Sequence, residues 1–127
     1  KQLPLLGFAQ AGKGGFFDDS GFPAGNGWEE IEVPGVTDAT AYALEITGDS
    51  MLPVYREGDT IIVSPGATVR KGDRVVVKTA DGQVMAKIMQ RQTSKTVELA
   101  SFNTAHVTKT LDMKDVDWVA RIIWASQ

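Results

Sequence analysis

From Thr40 to its end the chain never gathers more than a few apolar residues before a turn signal interrupts them. "AYALEIT", "TIIVSP", "DRVVVKT", "QVMAKIMQ", "TVELAS" and "DWVARIIWA" are rich in Val, Ile, Thr and aromatics, and "EGD", "KGD", "ADGQ" and "QTSK" separate them. β-Branched and aromatic side chains suit a pleated, half-buried surface, whereas an amphipathic helix needs a longer run with a period near 3.6. The punctuation predicts an all-β, mainly antiparallel domain with no helix longer than a turn or two. Within "VVVKTADGQVMAKI", Asp81-Gly82 marks a hairpin tip, where a type I′ turn asks for positive φ at both residues.

Residues 7–35 have another texture. They hold most of the thirteen glycines, in "GKGG", "SGFPAGNG" and "VPG", which predicts loop or extended arm rather than helix. The expected organisation is a cleavage-site arm and linker over residues 1–35 and a β core over residues 36–127. A chain of 127 residues is long enough for one such core. No apolar run approaches the ~20 residues of a membrane helix, so no membrane contact is expected. The absence of cysteine excludes disulfides and thiolate chemistry and fits a reducing, cytoplasmic setting. No cofactor or metal is expected. A net charge of -3 argues against this segment gripping a phosphate backbone, which takes clustered Lys and Arg.

One serine stands out. Ser50 sits in "GDSMLP" between two apolar runs, a pattern that also suits a simple helix cap or turn. As a nucleophile it needs a base to take its proton. His106, the single histidine, lies in the polar stretch "FNTAHVTK" with no carboxylate near it in sequence, and a loop histidine explains it as well. A lysine can replace histidine only as the neutral amine, which from an ordinary pKa of about 10.4 calls for desolvation. Lys1, Lys13, Lys71, Lys95, Lys109 and Lys114 fall in loops or polar surroundings, and Lys78 runs into the Asp81-Gly82 turn. Lys87 alone lies mid-strand, in "VMAKIM", where the plain alternative is a lysine pointing outward past two methionines.

Taken in order, "GDSMLP", "EGD", "KGD" and a hairpin whose second strand carries a lysine resemble the self-cleaving, S24-type C-terminal domains of LexA and bacteriophage CI-type repressors, with UmuD as a relative. Upstream, "LPLLGFAQAG" resembles the family's cleavage segment; downstream, "LASFNTAH" and "DWVARIIWA" occupy the places of its Asn-containing turn and last strand. The resemblance implies Ser50 as nucleophile, Lys87 as general base, the backbone N–H groups of Asp49 and Ser50 as oxyanion donors, and Ala11-Gly12 as the bond cut. A second pair, Ala24-Gly25 in "FPAGNG", competes for that role, although Pro23, Asn26 and Gly27 beside it favour a turn and no apolar run precedes it. Ile88 departs from the basic residue that many relatives carry after the lysine.

The resemblance further implies a homodimer, for which Trp118 and Trp124 of the last run are the aromatic candidates. It also implies stimulation by the RecA filament in the SOS response, and DNA binding through an N-terminal helix-turn-helix domain that residues 1–127 do not contain. Three alternatives share parts of the pattern: a UmuD-like polymerase accessory factor, a non-cleaving dimerisation module, and signal peptidase I, whose membrane anchor has no counterpart here.

Overall fold

The punctuated runs of the second half become strands, and two further strands come from the glycine-rich first third. The computed structural model describes residues 2–103 and 108–127. The strands are β1 (Gln2–Gly7), β2 (Glu29–Glu32), β3 (Tyr42–Glu45), β4 (Thr60–Ser64), β5 (Arg74–Thr79), β6 (Val84–Gln92), β7 (Thr96–Ala100), β8 (Lys109–Asp112) and β9 (Val116–Ser126). They form one nine-stranded sheet in the order β2-β1-β3-β4-β9-β5-β6-β7-β8. Only β1 and β3 run parallel; the other neighbours are antiparallel, as expected. Among the described residues the helical elements are two 3-10 turns, Phe8–Gly12 and Met113–Asp115.

Alternation along β9 explains why this strand lies at the centre. Trp118, Ala120 and Ile122 face the main core beside Leu44, Ile61, Val63 and Val76. The unbroken valine run of β5 is buried on both faces: Val76 joins the main core, while Val75 and Val77 join Met89, Val97 and Leu99 in a second cluster. A third, smaller cluster packs Leu3, Val33, Ala41, Ala43 and Ile62 where β1 meets the sheet. Residues 1–35 thus contribute β1 and β2 to the same sheet as the rest of the chain.

The β5–β6 hairpin forms, but its tip is not a type I′ turn. Gly82 N–H donates to the Thr79 carbonyl at 3.0 Å and Thr79 N–H to the Gln83 carbonyl at 2.9 Å, so the loop spans Ala80, Asp81 and Gly82. Gly82 takes φ +88°, and no described non-glycine residue has positive φ. The Asp81 carboxylate accepts the Thr79 hydroxyl, which favours a three-residue loop with glycine alone in the left-handed region.

The glycine-rich stretch is tied down by aromatic rings. Phe17 meets Trp118 at a centroid distance of 4.9 Å, Tyr42 at 5.2 Å and Trp28 at 5.3 Å, while Phe16 lies edge-on to Trp28 at 6.0 Å. Such tilted and edge-to-face pairs add specific geometry to apolar burial. The Tyr42 hydroxyl inside this cluster has no hydrogen-bond partner among the described residues, and burial pushes its pKa up.

Candidate active site

Parallel pairing decides where the site forms. β1 and β3 are in register from Leu5↔Ala43 to Gly7↔Glu45, so both strands leave the sheet at the same end. β1 runs on into the 3-10 turn Phe8–Gly12, and β3 into the loop that carries Ser50. Segments far apart in sequence are thereby delivered side by side.

The serine loop is clamped at its base. Ile46 N–H donates to the Asp59 carbonyl at 2.8 Å, and Gly58 N–H donates to the Ile46 carbonyl at 2.9 Å. The Asp59 carboxylate accepts the Arg56 N–H at 2.8 Å and the Gln127 side-chain amide at 3.0 Å; these hydrogen bonds, the first above all, hold its pKa below the usual carboxylate range. At the tip, Leu52 N–H reaches back to the Asp49 carbonyl at 3.2 Å, which places Ser50 on the corner of a turn. Ser50 is exposed, whereas Met51 beside it is buried in the main core. Neither the Ser50 hydroxyl nor the amide N–H groups of Asp49 and Ser50 hydrogen-bond to any other described group.

Lys87 is half-buried on β6, opposite Val75 of β5, and pairs with no carboxylate among the described residues. Its neighbours Ala86 and Ile88 pack in the main core with Met51. Alternation therefore starts the Lys87 side chain on the side of Met85 and Met89. No hydrogen bond joins Ser50 and Lys87. β7 pairs with β6 from Ile88 onward, so among the described strands Val84–Lys87 are paired with β5 alone. The serine loop reaches this region through Tyr55, whose ring meets Phe102 edge-on at 5.3 Å and lies 5.7 Å from the guanidinium of Arg74, the β5 partner of Ile88.

Ala11 and Gly12 lie against the same strand. The turn Phe8–Gly12 packs on β6, and Gly12 sits so close to the hairpin tip that a Cβ there would stand 2.5 Å from the Gly82 carbonyl oxygen. Ala11 is 0% exposed and belongs to the core cluster that holds Met51 and Ala86, the residues adjoining Ser50 and Lys87. The other pair is held elsewhere. Ala24 N–H donates to the Phe16 carbonyl at 2.9 Å, and the Ala24 carbonyl accepts the Trp28 indole N–H at 3.0 Å. His106 lies outside the described residues. Among those described, no group of three or more His, Asp or Glu side chains is placed to hold a metal ion.

The model of the Peptidase S24-like family matches residues 4–123, a span that includes Ala11, Gly12, Ser50 and Lys87. The chain belongs to this family. It is 35% identical over 80 residues to the Repressor protein C of Rhizobium phage 16-3, covering 61% of this chain and 29% of that protein. It is 39% identical over 70 residues to the LexA repressor of Acidiphilium cryptum, covering 53% of this chain and 30% of that one. The LexA repressor of Granulibacter bethesdensis aligns with 96% of the chain at 28% identity, over 49% of its own length. The chain thus spans about half or less of these S24 relatives.

Sequence reasoning missed two supports of the site. The Asp59–Gln127 clamp joins residues 68 apart, and nothing local announces it. The aromatic anchor of the arm did leave a trace, since Phe16, Phe17 and Trp28 are out of place in a flexible glycine-rich linker.

Proposed function

We propose that this S24 domain is the self-cleaving part of a LexA/CI-type repressor and cuts its own Ala11–Gly12 bond. The observation that supports the proposal is that Ala11 is buried in the same core cluster as Met51 and Ala86, the chain neighbours of Ser50 and Lys87. The neutral Lys87 amine takes the Ser50 proton, and the serine oxygen attacks the Ala11 carbonyl carbon. The amide N–H groups of Asp49 and Ser50, which bond to no other described group, stabilise the oxyanion, an effect worth about 3 kcal/mol per donor in other hydrolases. The C–N bond then breaks, Gly12 leaves as an amine with the proton carried by Lys87, and water releases Ala11 from the serine. To reach Ser50, the lysine stem has to turn from the Met85 and Met89 side of β6 toward the face that holds Met51. Closing the chain between Ala11 and Ser50 costs roughly 3 kcal/mol in the unfolded reference, and orienting the groups returns about 7 kcal/mol or more.

Intact-mass analysis after incubation is expected to show a new fragment beginning at Gly12. A fragment beginning at Gly25 would transfer the role to the Ala24–Gly25 pair. The rate is expected to rise with pH, since only an unprotonated base accepts the serine proton, and a rate that falls as pH rises would count against an amine base.

In the parent repressor the domain also dimerises, responds to the RecA filament, and depends on a separate domain for DNA. Trp118 is 6% exposed and belongs to the core, whereas Trp124 is 49% exposed next to Ile123, beyond the bulge where β9 slips against β4. Trp124 is accordingly the aromatic available to a second copy. Sedimentation at micromolar concentration is expected to show a dimer that Trp124→Glu converts to monomer; a monomeric parent would remove this element.

A further inference from the structure

β1 is an interior strand. It is hydrogen-bonded to β2 on one side and β3 on the other, and β1 is the strand neighbour of β2 among the described residues. Leu3, Leu6, Phe8 and Ala11 are all buried, Leu3 in the cluster with Val33 and Ile62 and the others in the main core. Downstream of Gly12 the chain is anchored separately, by Phe16, Phe17 and Trp28 on Tyr42 and Trp118. Between these two anchors lie Gly14 and Gly15, where an added Cβ would meet nothing within 4 Å, although the Gly15 carbonyl packs closely on Gly25.

A cut at Ala11–Gly12 therefore severs a link whose two sides are docked independently. We propose that cutting does not release the upstream piece: residues up to Ala11 stay seated as β1 in the groove between β2 and β3, and leave only when that strand is stripped out. Removing it would deprive β2 of that strand neighbour and bare the edge of β3 together with Val33, Ala43, Leu44 and Ile62. Cleavage only turns an intramolecular contact into a bimolecular one and so removes the advantage of high effective concentration. Scission and separation become two steps, and the groove is a site for one extended, apolar strand. Retention builds on the cleavage proposed above for its biological setting, but it can be tested without that chemistry.

The test uses Ser50→Ala protein with a site-specific protease sequence inserted between Gly14 and Gly15, so that an added protease makes the cut. Native size-exclusion followed by mass analysis is expected to find both pieces in one peak at micromolar concentration, separating only in denaturant. Upstream piece eluting alone under native conditions would overturn the proposal. In the same background, Leu6→Ala is expected to speed loss of the upstream piece on dilution by about tenfold or more, since it removes buried contact. An unchanged rate would show that β1 docking is not what holds the piece. Absence of a Gly12 fragment from the parent protein would instead count against self-cleavage alone.

Discussion

Replacing Ser50 or Lys87 by alanine is expected to stop self-cleavage and leave the fold intact. Ser50 is exposed and its hydroxyl bonds to nothing else described, so its loss leaves no buried group unpaired. Lys87 is half-buried without a carboxylate partner among the described residues, and truncation costs only the packing of its stem. Chemistry is another matter. A serine without a base, or a base without a serine, has lost the unit, and each change is expected to slow cleavage by about a thousandfold or more. The double variant should be no slower than either single one, because the two groups act together. Intact mass over time, with circular dichroism as the control for folding, reads the result. Cleavage by Lys87→Ala at near the parent rate would send the search for the base to His106.

Gly12→Ala is expected to slow the cut by roughly a hundredfold, the scale at which a displacement of about 1 Å is felt by a reacting group. The added methyl would stand 2.5 Å from the Gly82 carbonyl oxygen, and both partners are backbone, so no side chain can swing aside. The segment has to lift away from β6, taking the Ala11 carbonyl with it. Gly14→Ala is the matched control, since a Cβ there meets nothing within 4 Å. Equal rates for the two variants would mean that the cut is made from another placement of the segment.

The class of fold was legible because it rests on local properties. Short Val- and Ile-rich runs between Gly-Asp turns cannot make helices, and each of those runs lies in a strand of the sheet. The hairpin was legible for the same reason, while its loop type was not: a single side-chain bond from Thr79 to Asp81 is enough to keep Asp81 at negative φ. The candidate residues Ser50 and Lys87 stood out through motif order.

Their surroundings did not. "QLPLLG" has the composition of an ordinary strand, and nothing in it tells that β1 pairs parallel to β3 instead of trailing as an arm. That pairing is a long-range contact, accompanied by the burial of Leu3 and Leu6, and it makes β1 and β3 leave the sheet at the same end. That β7 begins to pair with β6 at Ile88, just past Lys87, is likewise a matter of register. By itself the sequence determined an all-β chain with a candidate nucleophile and base; only the tertiary structure decided which Ala-Gly pair packs on the strand that carries Lys87, because register and burial are properties of strands that meet.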